Sequence, residues 1–384
     1  MKILVAGYPF IRENFFKTFD AYTGEYFFLL PKQWKAKGGE VIFYPPQRSD
    51  IITARAWFYH SHYPFIGGIL KGWMPAFPVV LWKHRKDISV VYSPLEPVLL
   101  SALYQAFWSK VLRKKHIIFT WENIPYSKYR GLNGIMKRVM LCLNLWLSDS
   151  VVCGNHKAQE IISERTRKPT VVIPLSGVDT DFFDPARSGG EVRTKYYIGD
   201  RFTFSFMGAL GFRKGIHLII DAFAIIRRKY PDAHLIIAGS GEYGGELEKQ
   251  IERLQLRERV TMIPWADMAL VRDILSATDV FLYPSISYGG WEEQFGYSIA
   301  EAMSMAVPVI STRSGSIGEL VADGKTGILI RPDDVQQLAE AMALLHEDHE
   351  LRRRFGQAGR DLVQERFSYP VIARQFHSFF TSLR

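Results

Sequence analysis

Two Rossmann-like, doubly wound α/β domains are what this chain predicts, and three observations lead there. The first is size: 384 residues with 47% hydrophobic side chains exceed what one hydrophobic core usually organises. The second is an alternation, repeated along the whole chain, of short β-branched runs with helical patterns. The third is a single stretch near the middle, residues 176–193, where Gly, Asp, Pro and Ser cluster without apolar periodicity.

In the first half the apolar runs are "KILVAG", "GEVIFYP", "DISVVYS", "KHIIFTW", "DSVVCG" and "PTVVIP". Continuous runs of this kind, bounded by turn residues, read as parallel strands buried on both faces. They define an N-terminal domain over residues 1–175. "SGVDTDFFDPARSGGEVR" then reads as the core of a linker at 176–198. Beyond it "FTFSFMG", "AHLIIAG", "RVTMIP", "DVFLYPS", "VPVIST" and "TGILIR" repeat the scheme in a second domain, 199–365. The last segment, 366–384, is helical after a Ser-Tyr-Pro break.

Composition narrows the function. Cys142 and Cys153 are the two cysteines, too few for a disulfide scaffold and without metal-ligand spacing, which fits a reducing compartment. The opening "MKILVAGYPF" has neither the apolar length nor the cleavage site of a secretory leader. The run Phe65–Trp82 contains Lys71 and two prolines and reads as soluble or interfacial rather than spanning. The net charge of +9 is uneven. Residues 1–200 hold 27 Lys and Arg against 16 Asp and Glu, and residues 201–384 hold 21 against 23. A basic first half suits an anionic surface or ligand, and with no recognition module beside it nucleic acid is not expected.

Ligands of doubly wound sheets bind beyond the carboxyl ends of the strands. After "FTFSFMG" comes "ALGFRKGIHLIIDAF", with Gly208, then Arg213 and Lys214 at a helix start, a pattern for anion binding or a solvated basic turn. After "HLIIAG", Gly239, Gly241 and Gly244 spell G-x-G-x-x-G. The acid that a dinucleotide fingerprint needs about 20 residues later is replaced by "TMIPWADM", including Ile263, Pro264 and Trp265, so the glycines read as a close-approach turn. Asp179-Thr180-Asp181 resembles a metal-binding triplet but lies in the linker and reads as a turn and cap. In "WEEQFGYSIAEAMSMAVP", Phe295-Gly296-Tyr297-Ser298 opens a helix whose N–H groups suit a phosphate. Glu301 lies in its second turn, leaning back toward that end, and Glu293 precedes it. The two acids bracket a phosphate position with polyol acceptors on either side.

Here the chain resembles the retaining family-4 (group 1) glycosyltransferases, whose mark is two glutamates separated by seven residues. The resemblance is carried by "SGVDTDFFDP", "GALGFRKGIHLIIDAF", "LIIAGSGE", "EEQFGYSIAEAMSMAVPVI" and the closing "ERFSYPVIARQF". It implies the GT-B architecture, two Rossmann-like domains facing each other across a cleft with the last helix crossing back to the first. It implies retaining, metal-independent transfer of a sugar from a nucleotide-diphosphate sugar, UDP- or GDP-linked, with no separate cofactor. The acceptor would be a saccharide or lipid-linked saccharide. Carried over by position, Glu301 would hold the ribose and Glu293 the transferred sugar. Arg213 and Lys214, with N–H groups of Phe295, Gly296, Tyr297 and Ser298, would neutralise the leaving diphosphate, while Gly241, Ile263 and Pro264 frame the base. The N-terminal domain departs from the family. Gly7 stands where a Gly-Gly loop is common, and Glu122 stands where a His is common; Glu96 ends another strand. These three are acceptor-side candidates, with helix capping as the plainer reading of both glutamates. His60, His62 and His116 read as surface or packing residues.

A nucleotide-sugar 2-epimerase of the same architecture, or a non-catalytic sugar-nucleotide-binding protein, would share many of these features. The clusters Ser109–His116 and Ser127–Met140 mix Lys and Arg with apolar residues. Singly they read as solvated helix faces; together they suggest peripheral contact with an anionic membrane surface on the cytoplasmic face.

Overall fold

The computed structural model describes residues 2–11, 13–22, 24–35, 41–59, 67–186, 190–264 and 267–383. His60, His62, Phe65, Ile66, Trp265 and the linker residues 187–189 lie outside the described residues. The chain divides into two units, one of residues 1–177 with 369–384 and the other of residues 178–368.

The first unit is built on a seven-stranded sheet. Its spatial order is Ile51–Ala54, Tyr26–Pro31, Lys2–Ala6, Ile88–Ser93, Lys115–Thr120, Ser150–Cys153 and Thr170–Val172, and every pairing is parallel. The second unit has a six-stranded parallel sheet in the order Val260–Ile263, His234–Ala238, Thr203–Met207, Val280–Tyr283, Val309–Thr312 and Gly327–Ile330. The strands His234–Ala238, Thr203–Met207 and Val280–Tyr283 are buried throughout because helices cover both faces. In each sheet the order reverses beside the unit's first strand. Chain connections there lead away to opposite sides and leave a crevice above the carboxyl ends.

Helices begin where the sequence offers a cap. Asn155 accepts from Ala158 N at 2.7 Å, Asp267 from Leu270 N at 2.8 Å, Asp334 from Gln337 N at 2.9 Å and Asp348 from Leu351 N at 2.8 Å. The terminal helix Tyr369–Ser382 is part of the first unit. Its Phe376 ring lies 5.3 Å from Phe19 and 5.5 Å from Tyr92, and Phe380 lies 5.2 Å from Tyr92.

The stretch that reads as a linker belongs, in its described residues from Val178 on, to the second unit, whereas Ser176 and Gly177 belong to the first. Its turn-forming composition conceals three apolar anchors, Val178, Phe183 and Val192, all buried. Val178 N donates to Phe367 O at 2.8 Å, Ser304 Oγ donates to Phe183 O at 2.9 Å, and a short helix, Gly190–Lys195, follows. Asp179 takes the turn role, accepting from Phe182 N at 3.0 Å.

Candidate active site

In the second unit the crevice lies between the loops that follow Thr203–Met207 and Val280–Tyr283. The first loop runs through Gly208 to the 3-10 turn Phe212–Lys214. It is docked by backbone contact: Ile286 N donates to Arg213 O at 2.9 Å and Ser285 Oγ to the same oxygen at 3.1 Å. Gly215 ends the turn with φ 68°, and a Cβ there would sit 2.0 Å from Pro284 O. Only glycine meets both demands, and the docking fixes the direction of Arg213 and Lys214.

Lys214 is 7% exposed and Glu293 6% exposed, and the two form an ion pair. Lys214 Nζ donates to Glu293 Oε2 at 2.6 Å and to the Tyr283 hydroxyl; the hydroxyl donates to Glu293 Oε2 at 3.0 Å. Ser285 Oγ lies 3.4 Å from the same oxygen. Burial pushes the Lys214 ammonium below its usual range against the pull of Glu293. Burial, followed by the Glu293 charge, pushes the Tyr283 hydroxyl well above its usual range. Tyr283 therefore stays neutral and can donate.

Two further features aim the cations. Gly289 and Gly290, with φ of 60° and 72°, form the turn of a tight hairpin in which Tyr288 and Trp291 exchange backbone hydrogen bonds of 3.0 Å. The hairpin brings the Trp291 ring to 3.6 Å from the Arg213 guanidinium carbon and 5.1 Å from Lys214 Nζ. Behind Glu293, Gly315 has φ 56°, and a Cβ there would lie 2.0 Å from Glu293 O. Ser316 N donates to that carbonyl at 2.9 Å, so the loop after Val309–Thr312 holds the acid in place.

Gly296, with φ 90°, starts the helix Tyr297–Ser304. Phe295 is buried against Tyr297 and Phe367, with ring separations of 4.8 and 5.5 Å. Glu301 is half-buried in the second turn, and the Ser298 side chain hydrogen-bonds to Tyr283. The glycines after the neighbouring strands serve backbone contact. Gly208 N donates to Ala238 O at 3.1 Å. A Cβ on Gly239 would lie 1.9 Å from Gly208 O, and one on Gly241 2.4 Å from Leu210 O. Ile263 is buried and its carbonyl accepts from Gly239 N at 2.9 Å, while Pro264 is exposed. Thus Arg213, Lys214 and Glu293 converge, and Gly208, Gly241 and Ile263 pack the loops beside them.

In the first unit the crevice holds Gly7, Glu96 and Glu122. A Cβ on Gly7 would lie 2.8 Å from Pro94 Cγ, so packing alone demands glycine there. Glu96 accepts from Thr120 Oγ1 at 2.8 Å and Trp121 N at 2.7 Å; it ties two strand ends together and caps no helix. Burial, added to by the nearby Glu122, pushes its carboxyl up to about 7. Glu122 accepts from Lys128 Nζ at 2.7 Å, Tyr129 hydroxyl at 3.1 Å and Ile124 N at 3.2 Å. His116 is a packing residue: its ring lies between Ser93 Oγ at 2.8 Å and Ser148 Oγ at 2.9 Å, and burial pushes it down to about 3. Among the described residues no group of three or more His, Cys, Asp and Glu is placed to hold a metal ion, and no helix is long and apolar enough to cross a membrane.

Sequence reasoning missed Tyr283, Ser285, Trp291 and Gly315. Tyr283 and Ser285 close and follow a strand whose carboxyl end is a ligand position in doubly wound sheets, and Gly289-Gly290 is a readable hairpin signal. Gly315 carries no local signal, because its requirement arises from the Glu293 backbone 22 positions earlier.

Residues 191–362 match the family model of glycosyl transferases group 1. Alpha-D-kanosaminyltransferase of Streptomyces kanamyceticus is 28% identical over 262 residues, 67% of this chain and 64% of that protein. A GDP-mannose-dependent alpha-(1-6)-phosphatidylinositol monomannoside mannosyltransferase of Mycobacterium tuberculosis is 32% identical over 53% of this chain and 54% of its own length. The matched regions thus span a little over half to just under two thirds of these relatives. The solved Anabaena HepE structure in complex with UDP superposes over the full length of both chains with a TM-score of 0.76 at 20% identity. Sucrose-phosphate synthase of Thermosynechococcus elongatus covers 100% of this chain at 0.72 and 19%. Two parallel-sheet units give the chain the GT-B fold, and within the second of them residues 191–362 carry the pattern of the group 1 glycosyltransferases.

Proposed function

We propose that the protein transfers a hexosyl group, with retention and without a metal, from a nucleotide-diphosphate sugar to a saccharide or lipid-linked saccharide. The observation that carries this reading is the buried Lys214–Glu293 pair, placed with Arg213 before the N-terminus of the helix Tyr297–Ser304. In this reading the diphosphate takes its negative charge to Arg213, Lys214 and the first N–H groups of that helix. Lys214 Nζ exchanges part of its contact with Glu293 for a phosphate oxygen, and Glu293 turns an oxygen to hydroxyls of the sugar. Glu301 takes the ribose hydroxyls.

The bond from the anomeric carbon to the diphosphate oxygen breaks as the bond to the acceptor oxygen forms on the same face. The acceptor's proton goes to the departing oxygen. Because Glu293 is engaged with Lys214 and Tyr283, it serves charge and orientation rather than attack. The protein's share is positioning and charge stabilisation. In the first unit Glu96 and Glu122 offer oxygens to acceptor hydroxyls.

UDP and GDP donors both have support, from the UDP-bound neighbour and the GDP-mannose-dependent relative. A thermal-shift panel of UDP-, GDP- and ADP-sugars separates them, since a ligand at about 100 times its Kd stabilises by about 2.7 kcal/mol. No shift with any sugar nucleotide overturns the reading. Isomerised donor without acceptor would instead indicate an epimerase. The reading places the protein on the cytoplasmic membrane face, its basic first half meeting anionic lipid electrostatically. Within that basic half, Lys114 donates to Arg85 O and is a structural tie, leaving Arg113 and Lys115 as the better lipid contacts.

A further inference from the structure

The helix Gly131–Leu147 buries Gly134, Leu141, Asn144 and Leu145 against the first unit's core. Its opposite face is apolar as well. Leu132, Ile135, Met136, Val139, Leu143 and Trp146 are 83%, 52%, 39%, 47%, 38% and 74% exposed. These are six of the eighteen large apolar side chains exposed among the described residues. At 100° per residue they form one stripe from the first turn to the last. The helix contains no acid, and its two cations both engage Tyr129, away from the stripe. Lys137 Nζ lies 4.2 Å over the Tyr129 ring, and Arg138 donates to Tyr129 O. Phe107 and Val111 of the adjoining helix Leu100–Val111 are also about half exposed.

A contiguous stripe of this kind marks an interaction surface. Its surroundings select the partner. Residues 77–147 hold 11 Lys and Arg against 3 Asp and Glu, and two of those three acids, Glu96 and Glu122, are engaged with neighbouring donors. Lys168 Nζ donates to Trp146 O at 2.6 Å and so adds a cation beside the last exposed ring. A second copy of this chain would bring like charges together across a two-fold contact. An anionic bilayer accepts both the basic rim and the apolar stripe, with Trp146 at its boundary.

We propose that the outer face of the helix Gly131–Leu147 inserts into the headgroup–acyl boundary of an anionic bilayer. This goes beyond the electrostatic contact described above, because it predicts binding that outlasts screening. It concerns lipid rather than donor, so its test reads no enzymatic activity.

The full-length chain is sedimented with vesicles of phosphatidylcholine containing phosphatidylglycerol, at low salt and at 1 M salt, where charges are screened within about 3 Å. Binding is expected at low salt, with a substantial fraction remaining at 1 M. The variant Leu132→Ser/Val139→Ser/Leu143→Ser/Trp146→Ser should lower partitioning at least about tenfold, given the apolar area removed. An environment-sensitive dye on Cys142, which is exposed while Cys153 is buried, should shift to the blue when vesicles are added to the otherwise unaltered chain. No blue shift overturns the proposal even if the variant fails to fold. Unchanged binding by the folded variant also overturns it. So does a dimer in sedimentation equilibrium that these four substitutions dissociate, which would give the stripe to a second copy.

Discussion

Lys214 and Glu293, 79 positions apart in the chain, meet at 2.6 Å in a site that leaves neither more than 7% exposed. An ion pair so enclosed is held by its partners as much as by its charges. Tyr283 and Ser285 satisfy the same carboxylate oxygen, and the Trp291 ring faces both Lys214 and Arg213.

Breaking this pair from one side should cost more than removing it altogether. Lys214→Met leaves Glu293 buried without its cation, and the loss is expected at about 3–5 kcal/mol in urea unfolding. Lys214→Met/Glu293→Gln should recover most of that loss, because both charges are gone. A double variant as unstable as the single one would show that the pair does not act as a unit.

The same two variants should fail in transfer. Loss of one preorganised donor at the departing diphosphate is expected to raise the barrier by about 2.7–4 kcal/mol, so kcat of Lys214→Met should fall about a hundredfold or more. Near-normal turnover would remove Lys214 from the chemistry.

Glu301→Gln should weaken nucleotide binding with a smaller effect on kcat, whereas Glu293→Gln should lower kcat with little change in nucleotide affinity. Titration calorimetry with the free nucleoside diphosphate, set beside kinetics, distinguishes them. The reverse pattern would exchange the roles of ribose and sugar.

Transfer should persist in excess EDTA. Arg213, Lys214 and the helix N-terminus supply positive charge for the diphosphate, and Asp179 is occupied in capping its own turn. Loss of transfer on chelation, restored by Mn or Mg, would reverse this expectation.

Glu96 should give the first unit a pH-dependent weakness. Its native carboxyl is held up to about 7, above the ordinary 4.5, so the native state binds the proton more tightly than the unfolded chain does. Stability is then undiminished below about 4.5, falls as the pH rises toward about 7, and is lowered by a constant amount above that. Glu96→Gln removes the ionisation. It should gain on the wild type by about 3 kcal/mol between pH 4 and 8, read as the difference between their urea midpoints. A pH-independent difference would show that Glu96 ionises normally.

Much of the architecture was legible because its signals are local. Buried parallel strands appear as β-branched runs, and capping residues such as Asn155 and Asp348 mark helix starts within four positions. Glu301 in the second turn of a helix follows from periodicity alone. What the sequence could not settle depends on elements far apart along the chain. Strand order brings Arg213 and Lys214 beside the loop of Glu293, and Gly315 is required only because the backbone of Glu293 passes 2.0 Å from where its Cβ would be. Asp, Pro and Ser at 176–193 read as a linker, yet Val178, Phe183 and Val192 are buried as part of the second unit. The helix Gly131–Leu147 shows the limit most plainly. Apolar residues at 132, 135, 136, 139 and 143 have the spacing of a core-facing stripe, and Leu141 and Leu145 offer another. Helical periodicity gives both faces an equal claim, and only packing against the helix Leu100–Val111 and the sheet decides which one the solvent side receives.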